Sequence, residues 1–360
     1  MRLLLAFFSL TIGFGAYAEQ IPDLFRYTAL VTSQNSRDAQ RAASDGLAEV
    51  IVRASGDNRV LQEGEIIRAL GSANNYIVSQ TYEATTETIE VDNRQVPAQK
   101  LVIEFSGELI QSLLRRLQLP LWPNNRRSLL VWMVVDDAQG RRVVSDITFP
   151  EAQLAMRNST KQRGLPLIPK LMDLEDQTAL SANQLWTFSI DAIRRASERY
   201  YPDTILVVRL SQSSRGDWRS DWQLLTDEGA QIFDIQQPTV DDVIANGINQ
   251  VVNYFCTREC IQTTGDADPT IILLELGKVG SFRQYSQALE YLQGLTLVRQ
   301  VDVGVVLNDN ILLYLRIDGD VRLLRDTLSR GGRMISQNND PNNFAVLGSA
   351  ENPLLYAWRN

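Results

Sequence analysis

Hydrophobic and polar positions along the chain predict three successive segments, each of which mixes strands with helices. In the first segment, residues 24–31 (LFRYTALV) alternate as a strand does, and residues 36–57 carry apolar side chains at helical spacing. A short helix follows, then two alternating strands over residues 75–91 and 99–106, and finally a Leu-rich helix over residues 107–118. The predicted order is β-α-α-β-β-α.

The second segment begins with a continuous apolar run, SLLVWMVVDD at residues 128–137, which predicts a strand covered on both faces. A helix is predicted from Pro150 to Gln162, a short strand within residues 165–173 and a long helix over residues 182–200. The rest predicts another apolar strand, a meander and an amphipathic helix, at residues 203–212, 216–236 and 239–256. We expect a curved mixed sheet with helices packed on it.

The third segment predicts a β-α-β-β-α order over residues 268–331, and a short strand at residues 333–337 would complete a ferredoxin-like split β-α-β. Its stretch NILLYLRIDGDVRLLRDTLSR repeats the order of strand, small turn and Leu-rich helix found near the end of the first segment. A repeated module and a chance similarity of common β-β-α units both explain that likeness. The apolar end of the last twenty residues predicts a tail docked on a neighbouring domain.

These patterns together predict the α/β (α+β) class, with tandem small mixed-sheet domains, helices packed on them, and a ferredoxin-like last domain. The predicted boundaries are a signal peptide, an N-terminal domain, a central domain, a ferredoxin-like domain and a C-terminal tail, at residues 1–18, 19–122, 126–262, 268–340 and 341–360.

The first eighteen residues, MRLLLAFFSLTIGFGAYA, have the composition of a secretory signal peptide. A single positive charge at Arg2 precedes an apolar run, and the stretch ends in the small-x-small pattern that signal peptidase cleaves, after Ala18. The alternative is a membrane anchor, but the run is shorter than the ~20 apolar residues that span a bilayer. We expect a mature protein in a bacterial periplasm, with no transmembrane span.

The net charge of the chain limits the classes of partner that we expect it to bind. The formal net charge of the chain is −8. An acidic chain has no general electrostatic attraction to nucleic acid or to anionic lipid. The predicted partner is therefore not a nucleic acid.

Four stretches carry a resemblance to a known family: RYTALV with GLAEVIVRASGD near the start, LPLWPNNRRSLLVWMVVDD, RGLPLIPKLMDLED and RYYPDTILVVRL. They resemble the exported, uncharacterised proteins of Gram-negative bacteria that share domain of unknown function 2066. The resemblance implies export and covers most of the mature chain. It implies no catalytic residues, because its motifs are apolar and structural.

Cys256 and Cys260 are the only two cysteines, and the chain contains no histidine. A metal site would need further soft ligands, and a thioredoxin-type pair opens a helix whereas these two residues close one. In an oxidising compartment, sulfurs four residues apart at a helix end are within disulfide reach. We predict a structural disulfide, with two free thiols or a redox or metal role as the alternatives.

Two pairs of residues are the remaining candidates for a site. Trp218 and Trp222 lie four apart on an alternating stretch, so both project to one face of a strand, either as a binding surface or as core packing. Asp136 and Asp137 follow a buried strand, and α/β sheets often bind ligands at the carboxyl ends of their strands. The alternative is an ordinary turn, because the residues of the stretch DDAQGR are typical of turns.

The sequence contains no convergent catalytic set, since a chain without histidine has no Ser-His-Asp or Cys-His chemistry. We expect a non-catalytic periplasmic binding or adaptor protein, without a cofactor, that acts on an envelope protein or on peptidoglycan through Trp218 and Trp222. The alternative is a carboxylate- and divalent-metal-dependent hydrolase centred on Asp136 and Asp137.

Intact-mass spectrometry of a periplasmic fraction tests the export and disulfide predictions together. We expect a chain that begins at Glu19, with Cys256 and Cys260 lighter by two hydrogens and unreactive towards alkylating agents before reduction. Retention of residues 1–18 would contradict the predicted cleavage, and full alkylation without reduction would contradict the disulfide.

Overall fold

Three sheets, each packed with helices, make up the described part of the chain. The structure is a computed structural model that describes residues 23–91, 93–213, 215–263, 269–337 and 343–359. The predicted mixed α/β class is confirmed. The signal-peptide interpretation of residues 1–18 lies outside the described residues.

The first segment has the predicted β-α-α-β-β-α order. Its elements are β1 (Arg26–Val31), α1 (Ser36–Ser55), α2 (Gly64–Gly71), β2 (Ile77–Val91), β3 (Arg94–Phe105) and α3 (Gly107–Arg116), with 3-10 turns at Asn58–Gln62 and Ala73–Tyr76. The strands form an antiparallel sheet in the order β1-β3-β2. Helix α1 buries Leu47, Val50 and Ile51 and ends at Gly56, whose left-handed φ of 70° suits glycine.

The central sheet has the order β5-β4-β6-β7-β8, with β4 parallel to β6 and the other pairs antiparallel. Its elements are β4 (Leu129–Asp137), β5 (Gly140–Val143), α4 (Pro150–Gln162), α5 (Leu174–Ala179), α6 (Ala182–Trp186), α7 (Ile190–Ser197), a 3-10 turn at Glu198–Tyr200, β6 (Thr204–Gln212), β7 (Trp218–Thr226), β8 (Gly229–Gln237) and α8 (Val240–Glu259). Separate apolar clusters cover the two faces of β4, as its unbroken apolar run predicts.

The short strand predicted within residues 165–173 is wrong. The structure has a single bridge there, between Leu129 and Leu167, and no named strand. Pro166 and Pro169 lack the N–H groups that a longer ladder needs. An extended, irregular segment therefore lies beside the first half of β4.

The long helix predicted over residues 182–200 is interrupted between α6 and α7. Phe188 takes a left-handed φ of 51°, which stops the helical repeat. Arg209 stabilises the chain at this interruption. Its Nη1 donates to the Trp186 carbonyl at 2.7 Å, and its guanidinium lies 4.2 Å from the Phe188 ring centroid.

The third sheet has the order β10-β11-β9-β13-β12. Its elements are β9 (Thr270–Gly277), α9 (Phe282–Gln293), β10 (Val298–Leu307), β11 (Asn310–Ile317), α10 (Val321–Arg330), β12 (Met334–Ser336) and β13 (Leu354–Trp358). In a ferredoxin-like sheet β12 would pair directly with β9. Here β13 lies between them, parallel to β9 and antiparallel to β12. The last residues, expected to dock on a neighbouring domain, supply an internal strand of this sheet instead.

A short connection, residues 122–127, contacts all three segments; we call it the link. Asn125 Nδ2 donates to the Thr327 carbonyl of α10 at 2.9 Å. Arg126 is 1% exposed, and its Nη2 donates to the Arg53 carbonyl of α1 at 2.6 Å. Its Nη1 donates to the Gly164 carbonyl after α4 at 2.6 Å.

Buried ion pairs add to these contacts between segments. Asp318 has a fully buried side chain and accepts from Arg115 of α3 at 2.8 Å and from Arg299 of β10 at 2.6 Å. Glu259 at the end of α8 accepts from Arg127 of the link and Arg330 of α10, both at 2.8 Å. The three sheets are therefore joined by specific polar contacts as well as by apolar packing.

Across the described ranges, no helix combines the length and apolar character needed to cross a membrane.

Candidate ligand-binding site

A cavity of about 430 Å³ lies between the first segment and the central domain. Its walls are mostly apolar and include Val131 of β4, Met156 of α4, and Leu165 and Leu167 of the irregular segment after α4. Arg53 of α1 closes it from the first segment. Volumes of ~300–1,000 Å³ with apolar walls and a few polar groups are typical of small-molecule sites.

Lys170, near the end of the irregular segment, is one of the residues that line this cavity. Its Nζ is enclosed and has no hydrogen-bond partner among the described residues. The ammonium lies 4.7 Å from the centroid of the Trp132 ring, a cation–π contact that supplies part of the lost hydration. Burial lowers the pKa of Lys170 to about 8, although Asp176 and Asp146 act in the opposite direction.

The nearby acids are already bound to other groups. Asp176 accepts from Met172 N at 2.8 Å and from the Tyr200 hydroxyl at 2.5 Å, and Asp146 accepts from Arg157 at 2.6 Å. Neither carboxylate forms an ion pair with Lys170 in the structure. The cavity wall therefore carries an enclosed cation whose opposite charge is not supplied by a direct contact.

Gln153 of α4 is a second side chain of the wall with an unpaired atom. Its Oε1 is enclosed and accepts no hydrogen bond from the described residues. The neighbouring Thr160, in contrast, donates to the Met156 carbonyl at 2.8 Å. A ligand group that donates a hydrogen bond would satisfy Gln153, while an acidic group would satisfy Lys170.

Exposed apolar side chains stand beside the lining residues in the chain. Ile147, which follows Asp146, is 94% exposed, and Leu171, which follows Lys170, is 68% exposed. Neither side chain lines the cavity, and single exposed apolar residues are normal on a protein surface.

The two predicted tryptophans project to the same face of β7, but they do not form an exposed pair. Trp222 is 0% exposed, stacks on Phe233 with ring centroids 5.6 Å apart, and donates from Nε1 to Ser220 Oγ at 2.7 Å. Helix α8 covers it at Gly247, where a Cβ would lie 2.0 Å from the indole ring. Trp218 is half-buried and stacks on Phe149. The expectation of a binding face at Trp218 and Trp222 is corrected, because a helix occupies that side of the strand.

Asp136 and Asp137 lie at the β4–β5 hairpin, each bound to an arginine. Arg141 donates to Asp136 at 2.6 Å, and Arg142 binds both oxygens of Asp137 at 2.6 and 2.9 Å. The Arg142 contact lowers the pKa of the Asp137 carboxyl below its ordinary value. In the described parts of the chain, no group of three acidic, cysteine or histidine side chains could hold a metal ion. The pair forms hairpin ion pairs and brings no further metal ligand with it.

Cys256 and Cys260 form a disulfide at the end of α8, with their Cα atoms 4.6 Å apart. It packs against the turn after α1: a Cβ on Gly56 would lie 2.9 Å from Cys256 Sγ and 3.3 Å from the ring of Trp122. The disulfide thus joins the packing beside the link and contributes no lining residue to the cavity.

Sequence reasoning missed Lys170 and Gln153. The chain has only four lysines, and one of them interrupts the apolar stretch LPLIPKLMD, which is a usable signal. That signal points to a partly buried lysine, but only the fold brings it to the same cavity as Gln153 and Met156.

The pH dependence of stability tests whether Lys170 is enclosed as a cation. Its ordinary pKa is 10.5 and its folded pKa is about 8. Between these two pH values the unfolded chain holds the Lys170 proton and the folded protein does not. Lys170 therefore makes the free energy of unfolding rise with pH in this range. Below about pH 8 the folded state carries the enclosed charge at full cost. Lys170→Met should therefore raise the urea midpoint at about pH 7 and flatten the rise up to about pH 10.

Lys278→Gln is the matched control, because Lys278 is exposed. Its loss should change neither the urea midpoint at about pH 7 nor the rise of stability up to about pH 10. A Lys170→Met protein that is less stable than the parent throughout this range would show that the ammonium has a stabilising partner.

Comparison with known proteins yields one family match. A family model described as Domain of unknown function (DUF8605) matches residues 18–123. The resemblance to domain of unknown function 2066 is therefore wrong, because the matching domain is a different uncharacterised one. No curated protein matches the chain.

Four chains among the solved structures match. One of them, titled "Crystal structure of uncharacterized protein", is 12% identical and covers 36% of this chain and 90% of its own length, with a TM-score of 0.18. A likeness at that TM-score carries no argument about fold or function. The N-terminal third of the chain is thus similar to an uncharacterised domain family, and the cavity lined by Lys170 lies mainly outside the matched residues.

Proposed function

We propose that the protein is a non-catalytic binding protein of the bacterial periplasm, and that its central cavity takes a ligand with an acidic group on an apolar body. The periplasmic location rests on the signal-peptide composition of residues 1–18. The observation that carries the binding proposal is the enclosed Lys170 ammonium, unpaired among the described residues, in the wall of an apolar cavity.

The acidic part of the ligand follows from the chemistry of Lys170. An enclosed cation without a counter-ion costs free energy, and an entering carboxylate or phosphate recovers it through a charge-assisted hydrogen bond. The lysine stem has several rotatable bonds, and binding requires a rotation of this stem that brings the enclosed Nζ from the Trp132 ring towards the cavity. The same interaction would be weak at an exposed lysine, since water screens it.

The apolar part follows from the remaining wall. Met156, Leu165 and Leu167 offer side chains without polar atoms other than the thioether, and methionine adapts to ligands of different shape. Burying apolar ligand surface contributes ~25 cal/mol per Å². Gln153 would accept a hydrogen bond from an amide or hydroxyl of the same ligand.

An acidic peptide portion has both features, so the proposed partner is another envelope component, either a protein or the peptide-bearing peptidoglycan. Binding is favoured over catalysis because Lys170 has no base or nucleophile within hydrogen-bond distance among the described residues. The hydrolase centred on Asp136 and Asp137 gains no support, because both carboxylates are bound by arginines.

Titration calorimetry with decanoate and decanol, two probes of equal chain length, separates the charge of the ligand from its apolar body. We expect decanoate to bind at least ~10-fold more tightly than decanol at about pH 7. Lys170→Met should bind the two probes equally, because the methionine keeps the apolar stem and removes the charge.

Lys278→Gln provides the control for net charge and should keep the preference of the parent protein. Equal binding of decanoate and decanol by the parent protein, or a preference that survives Lys170→Met, would contradict the proposed role of Lys170.

A further inference from the structure

The two faces of the third sheet differ in what covers them. One face packs against α9 and α10, and alternate residues of its strands, such as Leu274, Leu313 and Leu315, belong to the apolar core. The residues between them point the opposite way, because successive side chains of a strand alternate between the faces of a sheet. We call this second surface the open face. Its large apolar side chains include those of Ile271, Val305, Leu307, Leu312, Tyr314 and Ile335.

The open face is apolar although much of it is exposed to solvent. Leu307 is 67% exposed, Ile271 51% and Tyr314 38%. None of these three side chains belongs to an apolar cluster in the described chain. They are not scattered singly, because they lie on the neighbouring strands β10, β9 and β11 of one sheet. Contiguous exposed apolar patches mark places where another molecule binds.

The first sheet provides an internal comparison, because it packs Leu101 and Ile103 of β3 into the core and leaves its other face in water. Antiparallel sheets with one solvated face normally alternate apolar residues inside with polar residues outside. The first sheet follows this rule, and its solvent-facing side chains include those of Arg26, Thr28, Ser79, Thr81, Glu83 and Glu104. The open face of the third sheet departs from the rule, which indicates that another molecule covers it.

The charges on the open face are few and already have partners. Arg316 lies 3.5 Å from Asp302, and Glu275 accepts from Asn310 at 3.1 Å. These three charged side chains leave the face nearly neutral, whereas the whole chain has a net charge of −8. Two copies of an acidic chain repel each other over most of their surface, and a nearly neutral apolar face is where that repulsion is weakest.

The size of the open face fits an interface between two copies of this chain. Five strands spaced ~4.8 Å apart, with about eight residues of ~3.3 Å rise in the long ones, span roughly 500 Å². Two such faces in contact would bury roughly 1,000 Å² in total, the size at which specific interfaces begin. Packing of two sheets face to face is a common arrangement and needs no change in either sheet.

We propose that the open face binds a second copy of this chain, so that the third sheets of two copies pack face to face across a two-fold axis. A two-fold contact uses the same surface on both copies, so the apolar side chains of the face bury one another. Tyr314 is the aromatic anchor of this contact. Its ring lies over Gly304 at the bulge of β10, where a Cβ would lie 2.4 Å from it. The proposal does not depend on the cavity of Lys170.

Sedimentation velocity of the purified protein between ~1 and ~100 μM measures whether this dimer forms. We expect dimers to predominate at the upper end of this range, because an interface near the lower size limit of specific contacts gives moderate affinity. A protein that stays monomeric up to ~100 μM would overturn the proposal.

Ile271→Arg and Leu307→Arg test whether the open face is the surface used. Each variant places an unpaired charge in the apolar contact, so we expect both proteins to stay monomeric over the same concentrations. Both positions are exposed, and unchanged circular dichroism spectra would show that the fold is kept. Thr81→Arg adds the same charge to the exposed face of the first sheet and should still form dimers.

Two results with these variants would overturn the proposal. Dimers that persist in both Ile271→Arg and Leu307→Arg would use another surface. Dimers that are lost in Thr81→Arg as well would depend on net charge and not on the open face.

Tyr314→Ala gives a graded test of the same contact. We expect this variant to dimerise at least ~10-fold more weakly than the parent protein, since aromatic anchors commonly carry interface energy. Tyr201→Ala, at an exposed tyrosine of the central domain, is the matched control and should dimerise like the parent protein. Equal dimerisation of Tyr314→Ala and Tyr201→Ala would place Tyr314 outside the interface and contradict the face-to-face packing.

Discussion

The packing of the first segment against the central domain depends on one buried guanidinium, that of Arg126. Its Nε donates to the Pro123 carbonyl at 2.9 Å, and its two terminal nitrogens donate to Gly164 and Arg53 at 2.6 Å each. The group lies over the Trp122 ring at 3.9 Å and has no carboxylate partner within bonding distance in the described chain. Its burial lowers its pKa well below the ordinary value. Carbonyl oxygens from three parts of the chain therefore replace its hydration, and they do so only when those parts are correctly placed.

The cavity of Lys170 lies next to this cluster. Gly164, which accepts from Arg126, also lines this cavity, and its φ of 61° with a Cβ position 2.5 Å from Arg126 Nη1 requires glycine. Asn124, two residues before Arg126, donates from Nδ2 to the Gly294 carbonyl of the third segment at 3.3 Å. The cavity is a space left at the junction between the first segment and the central domain, and the contacts of Arg126 keep its walls in place. This explains why the site is not contained in a single predicted domain.

Local patterns in the sequence predicted the elements well where neighbours along the chain decide the conformation. The apolar run of β4 and the proline at the start of α4 are examples. Prediction failed where residues distant in the sequence decide the conformation or the burial of a residue. Trp222 alternates like a surface residue but lies under Gly247 of α8, and β13 enters the third sheet between two strands that precede it in the chain. The site residue Lys170 has the same character, because its importance lies in an unpaired ammonium, which only the packing reveals.

Urea denaturation of Arg126→Met, beside Arg37→Met at an exposed position of α1, tests the central role of the guanidinium most directly. Methionine keeps the apolar stem but leaves several buried carbonyls without donors, so we expect a loss of at least ~3 kcal/mol in the free energy of unfolding. Arg37→Met should stay within ~0.5 kcal/mol of the parent protein. If Arg126→Met unfolds at the same urea concentration as Arg37→Met, the first segment and the central domain are held together without Arg126, and the account is contradicted.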